Sequence, residues 1–232
     1  MQFFALWSII YVAKENDAMK RSISILALLI LVTAGAFGQI SVGGGALFDW
    51  SFFNEVVDDG SSVKGSDGIR NMSFGGFVFF DATYAEIDIN FGYVANGSTK
   101  ATFDGDTETF DGEGGATVFG FGLLGKYPID LGALTLAPMV GFNYTMWLAQ
   151  KHPDYDDMKR GDVDDAGDFD QFSILFGAGL GVPFTDNLGL KADILLRLAL
   201  PNKGTKDLAD LIDGSALPGF GPLIRVGLQY TF

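Results

Sequence analysis

Apolar residues recur at every second position in eight separate stretches of this chain. In Tyr84–Val94, Ala85, Ile87, Ile89, Phe91 and Tyr93 alternate with Glu86, Asp88, Asn90 and Gly92. In Phe220–Phe232, the apolar set is Phe220, Pro222, Ile224, Val226, Leu228, Tyr230 and Phe232. Between them sit Gly221, Arg225, Gly227, Gln229 and Thr231, with Leu223 the one large apolar exception. A period of two fits a strand with one greasy face and one polar or small face, and does not fit a helix. Beyond the N-terminus no run of about 18 apolar residues occurs, so a mature membrane-spanning helix is not expected.

The other six stretches are predicted over Gln39–Phe53, Asn71–Phe80, Ala116–Tyr127, Ala133–Leu148, Gln171–Phe184 and Leu188–Leu200. Asp81-Ala82-Thr83, Pro128–Gly132 and Thr185-Asp186-Asn187 read as short turns. The longer connections are 54–70, 95–115, 149–170 and 201–219, the last with a helical turn over Lys206–Asp213. Long and short connections therefore alternate. Eight strands with short turns on one side suit an eight-stranded antiparallel up-and-down transmembrane β-barrel, closed because an open edge in lipid leaves backbone groups unpaired. A soluble barrel would need the greasy face inside, and eight strands cannot enclose that many Phe and Leu side chains. Aromatic residues cluster near strand ends on the greasy face. Tyr84, Tyr127, Phe184, Tyr230 and Phe232 are expected at one membrane interface, and Trp50, Phe52, Tyr93, Tyr144, Phe172 and Phe220 at the other.

Met19-Lys20-Arg21, the apolar run Ile23–Val32, and Ala36 and Gly38 at the −3 and −1 positions read as a secretory signal peptide cut after Gly38. Residues 1–18 precede it and read as a mis-assigned start, 19–38 as the signal, and 39–232 as the barrel. The net charge is −14; residues 1–38 carry +1, so the remainder carries −15. That balance argues against a nucleic-acid partner. The chain has no Cys, hence no disulfide, thiolate metal site or lipoprotein anchor.

The alternation, the loop asymmetry and the terminal Tyr230 and Phe232 resemble the small eight-stranded bacterial outer-membrane barrels, OmpA-, OmpX- and OmpW-like. The resemblance implies an outer-membrane location, lipid as surroundings, a monomer, and assembly machinery that reads the C-terminal strand through Tyr230 and Phe232. No catalytic motif accompanies it.

The polar face is predicted to place Asp49, Glu86, Asp88, Lys126, Lys191, Asp193, Arg197 and Arg225 in the lumen. Charges in a narrow lumen must pair or be hydrated. They form either a salt-bridge plug or a polar constriction in a narrow pore. Leu47, Phe77, Phe79, Leu124, Met139, Trp147, Leu175, Leu195 and Leu223 also point inward, as core filling or as the wall of an apolar tunnel. Pro138 and Pro222 fall inside strands and face lipid. Each removes a ladder donor and could open a lateral gap, as resemblance to the OmpW-like barrels implies. The acidic loops contain His152, the one His, and eight Asp between Asp154 and Asp170. A calcium loop is not matched: Thr109 stands where the sixth-position Gly belongs, and Gly115 where the closing Glu belongs. No metal, cofactor or enzyme activity is expected. The sequence therefore points to a passive, narrow channel or permeation route for small solutes, apolar ones among them. The alternative is a non-transporting surface adhesin, antigen or anchor that meets a host ligand through acidic loops.

Overall fold

The computed structural model describes residues 39–232 apart from 54, 57–65, 68, 97–98, 104–105, 111–114, 153–154, 164–165, 204–205, 208–209, 211–214 and 217. Side chains of 51–71, 96–110, 152–157, 166, 169 and 216 are likewise outside the description. The signal-peptide and start-site expectations, and most of the helical turn expected over 206–213, fall on undescribed residues. Eight long strands run in chain order: β1 Ile40–Phe53, β2 Ile69–Ala82, β3 Ala85–Asn96, β4 Gly115–Lys126, β5 Thr135–His152, β6 Gln171–Pro183, β7 Leu188–Ala199 and β8 Gly219–Thr231. Each pairs antiparallel with the next, and β8 pairs with β1 to close the sheet. The chain is a closed all-antiparallel eight-stranded barrel.

The register fixes its dimensions. Val42 lies opposite Phe80, followed in turn by Ile87, Leu123, Phe142, Ile174, Leu198 and Phe220, and Phe220 lies opposite Phe52. One circuit thus returns to β1 ten residues further along, from 42 to 52. With strands about 4.8 Å apart and about 3.3 Å per residue, a shift of ten over eight strands gives a tilt of about 40° and a backbone radius of about 8 Å. Such a lumen holds side chains and little else. Every residue on that circuit is apolar, so the belt facing outward is continuous around the wall.

Exposure follows the same parity. Phe74, Val78, Ile89, Phe91, Val140, Phe176, Ile194 and Leu228 are exposed on the outside, while Phe77, Phe79, Leu124, Met139, Leu175, Leu195 and Leu223 are buried inside. An apolar outside around a buried polar inside is the arrangement for lipid. No helix among the described residues is long and apolar enough to cross a membrane. Tyr84, Tyr127, Phe184, Tyr230 and Phe232 are exposed at the short-turn end, and Trp50, Phe172 and Phe220 at the other. Tyr93 and Tyr144 are half-buried there, and the Phe52 side chain is not described.

Most strand ends lie within one or two residues of the sequence reading, and two of the differences change the structure around them. β2 continues to Ala82, so Asp81 is a buried strand residue facing the lumen, where the sequence suggested a turn. The turn is the tighter Thr83-Tyr84, with Thr83 at φ 34°. β5 runs to His152, beyond the expected Leu148, because it leaves the barrel as a hairpin arm with Tyr155–Lys159. Other outer connections are also knitted by short pairings: Ser66–Asp67 with Thr99–Phe103, and Glu55–Val56 with Ser215–Ala216.

The seam has a direct check. Ser41 Oγ and Thr231 Oγ1 lie 2.9 Å apart on register partners of β1 and β8. Since the chain has no Cys, Ser41→Cys with Thr231→Cys should form one intramolecular disulfide on mild oxidation of the folded protein, read as a gel shift reversed by reductant. Failure of the folded double variant to cross-link would contradict the closure.

Candidate functional site: the lumen

Parity places one residue in two from every strand inside a narrow tube, and the sequence fills those places with charges, glycines and large apolar groups. At the short-turn end, Lys126 from β4 pairs with Asp81 from β2, and Lys191 from β7 pairs with Glu86 from β3. Lys191 Nζ also stands 3.9 Å from Asp81 and 3.7 Å from Asp193. Arg225 from β8 ties the next level together. Its Nη2 donates to Glu86 Oε1 at 2.9 Å and Asp193 Oδ2 at 2.7 Å, while Nη1 stands 3.2 Å from Asp88 Oδ2. Asp88 Oδ1 accepts a further bond from Asn90 Nδ2 at 3.1 Å. Two rings complete the cation sockets. Lys191 Nζ sits 4.6 Å from the Phe79 centroid and the Arg225 guanidinium carbon 5.1 Å from that of Phe77, within cation–π range.

Further along the lumen, Leu124, Ala137, Met139, Leu175, Leu195 and Leu223 pack into one buried cluster with Leu47 against it. Beyond this layer, Arg197 from β7 pairs with Asp49 from β1. Asn143 and Ser173 are buried nearby in register, through the pairing of Asn143 with Ser173 and of Ser173 with Ala199. All eight charged residues expected inward face the lumen and are ion-paired there: Glu86, Asp88, Lys126, Lys191, Asp193 and Arg225 share one network with Asp81, and Arg197 and Asp49 form a separate pair.

The carboxylates fit because the facing strands carry glycine. A Cβ built on Gly122 would stand 2.3 Å from Asp88 Oδ2, and one on Gly179 would stand 2.5 Å from Asp193 Oδ1. Both oxygens are buried without a hydrogen-bond partner of their own. The backbone of the adjacent strand is thus the floor of each acid's socket.

Sequence reasoning missed Asp81, yet its signal was present. Phe77, Phe79 and Asp81 continue one period-two face, and the turn assignment cut it short. It also missed a lock at the outer rim. Arg160 donates to both carboxylate oxygens of Asp170, at 2.8 Å from Nη2 to Oδ2, and to the Trp147 carbonyl at 3.2 Å. Tyr144 Oη donates to Asp170 Oδ2 at 2.6 Å. The hydrogen bonds that Arg160 donates to Asp170 drive its pKa above the ordinary value, so the guanidinium stays charged throughout the physiological range. No sequence spacing announces a contact between residues 144, 160 and 170.

Of the two prolines, Pro138 lies in an unbroken ladder with Ala178 of β6 and sits one residue before the β4 rungs begin at Met139. Pro222 lies where the β1–β8 ladder passes from Asp49 opposite Leu223 directly to Phe52 opposite Phe220, in unchanged register. Tyr230 and Phe232 are exposed on the outer wall, their rings edge-to-face at 5.2 Å. Among the described residues no group of acids, His or Cys is arranged to hold a metal ion.

A closed eight-stranded wall with an apolar outside and a charged inside defines a small transmembrane β-barrel of the outer-membrane type. No family model matches the chain, and no curated protein matches it. Among solved structures, it is similar to the outer-membrane protein OprG from Pseudomonas aeruginosa, at 12% identity and TM-score 0.45, covering 84% of this chain and 96% of that one. It is also similar to the N-terminal β-barrel domain of OprF from the same organism, at 12% identity and TM-score 0.39, covering 84% and 98%. A third is Ail, the attachment invasion locus protein of Yersinia pestis, at 14% identity and TM-score 0.38, covering 84% and 99%.

The sockets give a prediction. Gly122→Ala and Gly179→Ala should each destabilise the barrel by about 1–3 kcal/mol, since the methyl group displaces a buried carboxylate held by Arg225. Gly125→Ala, whose Cβ has no neighbour nearer than 3.6 Å, should be close to neutral. The midpoint of the heat-dependent gel shift measures all three.

Proposed function

We propose that the protein is a plugged outer-membrane barrel that works at the cell surface through its outer connections rather than as a pore through its lumen. The observation that carries this reading is the packing of the lumen. Leu124, Leu175, Leu195, Glu86, Asp193, Asn143 and Ser173 are each less than 2% exposed, and they come from five different strands. A solute crossing the barrel must break the buried ion pairs and displace the leucine layer. Losing one partner of such a pair costs about 3–5 kcal/mol.

The distribution of charge supports the same reading. Connections 54–68, 97–114, 153–170 and 200–218 together carry −14, whereas the rest of 39–232 carries −1. The wall and lumen are nearly balanced, and the field of the molecule is concentrated at one end. Lys203 ties two of these connections together through Asp168 and, at 3.1 Å, Asp207. Both bonds hold the Lys203 pKa above its ordinary 10.5, so the ammonium keeps its charge at neutral pH and loses it only in strong alkali. A partner with a positively charged surface is the chemistry such an end accepts.

A second reading has its own observation. The gap in the β1–β8 ladder falls at Pro222, which has no N–H to donate. A small apolar solute entering from the outer end could leave sideways there, into lipid, without passing the charged layer.

Planar-bilayer recording of the refolded residues 39–232 separates these readings from a through-pore. The surface reading predicts no stepwise conductance in the wild type, and conductance steps once Leu175 and Leu195 are both replaced by Gly. Stable conductance in the wild type would overturn it. Uptake of an apolar dye without conductance, abolished by Pro222→Val, would favour the lateral route.

A further inference from the structure

The wall of this barrel changes character just above its outer aromatic rim. Up to Trp147, the inward and outward faces of β5 alternate strictly. Between Trp147 and Ala149 the pairing with β4 shifts: Trp147 lies opposite Val118, and Ala149 opposite Thr117, so Leu148 is an inserted residue. Thr117 shares the outward face with Phe119 and Phe121, and Phe121 is exposed. The bulge therefore turns Ala149 and Lys151 outward, although both have the odd numbering that points inward lower down. The hairpin arm adds Lys159, opposite Ala149 on the same face. Lys151 and Lys159 are thus diagonal neighbours on one outward surface, and both are exposed.

Height places this pair at a definite layer of the membrane. Lys151 stands three residues beyond the exposed Leu148. At about 3.3 Å per residue and a tilt of about 40°, that is about 7 Å beyond the apolar belt, the depth of the headgroup region. The two cations therefore sit where anionic headgroup phosphates lie. Neither ammonium has an ion-pair partner among the described residues. Of the acids nearby whose side chains are described, two are engaged elsewhere. Asp170 is taken by Arg160 and Tyr144, and Asp162 Oδ2 accepts the Lys159 backbone N–H at 3.3 Å. Arg160, bonded back to the Trp147 carbonyl, clamps the end of the arm to the wall and so fixes where Lys159 stands. In a chain whose outer connections are strongly acidic, an anionic leaflet repels that end, and a local basic landing offsets the repulsion.

We infer that Lys151 and Lys159 form a docking surface for the phosphate of a phosphorylated glycolipid in the outer leaflet, with the acyl chains lying on the apolar belt below. This is independent of whether the lumen conducts. The test uses refolded residues 39–232 in detergent with a chelator present, titrated with bisphosphorylated lipid A and followed by native mass spectrometry. Lys151→Gln with Lys159→Gln should weaken lipid A retention by about tenfold or more, and the double Arg variant should retain it. Folding of each variant is confirmed by the heat-dependent gel shift. If the double Gln variant does not fold, Lys151→Gln alone should still show a severalfold loss. Retention within twofold of wild type in the double Gln variant would overturn the inference. So would equal retention of phosphatidylglycerol, or of lipid A stripped of its phosphates.

Discussion

The Arg225 guanidinium meets three carboxylates, Glu86, Asp88 and Asp193, inside a tube whose wall excludes water. Each acid is buried, and none could be held ionised there without an opposing charge. Lys191 shares Glu86 and approaches Asp81 and Asp193, and Lys126 holds Asp81. Strands β2, β3, β4, β7 and β8 are thus joined across the lumen as well as along it. The barrel needs such cross-bracing for a physical reason. Lipid supplies no hydrophobic force to collapse the wall inward, so packing and ion pairing inside must fix its cross-section.

Closure and filling constrain each other. A shift of ten residues over eight strands sets the radius, and that radius leaves room for a limited volume at each level. Where a carboxylate or a ring projects inward, the facing strand carries glycine: Gly122 beneath Asp88, and Gly179 beneath Asp193. Where the filling is apolar, leucines from opposite strands meet directly. The polar and apolar layers are therefore two ways of occupying one narrow space. Together they make the barrel a pillar from which the outer connections project.

Much of this was legible in the sequence because period-two alternation is a local property. It revealed the eight strands, the face each residue takes and the inward charges, including Arg225 and Glu86, which are 139 residues apart. Partner choice was not legible. It depends on register and tilt, which bring Lys126 to Asp81 and Lys191 to Glu86 by the accumulated stagger of several strands. Asp81 was misread because Asp is common in turns, and that preference outweighed a parity that Phe77 and Phe79 had already set. The bulge at Leu148 was hidden for a similar reason. An inserted residue leaves the apolar pattern intact up to the point of insertion, so the outward turn of Lys151 appears only in the pairing with β4.

The central claim is that Arg225 and its carboxylates act as one buried unit that holds the lumen shut. A double-mutant cycle on Arg225→Met and Glu86→Gln, read from urea-unfolding free energies in lipid vesicles, tests it most directly. The account predicts that each single change costs about 3–5 kcal/mol and that the double change costs less than the two together by about 2 kcal/mol or more. Simple additivity within about 0.5 kcal/mol would contradict it.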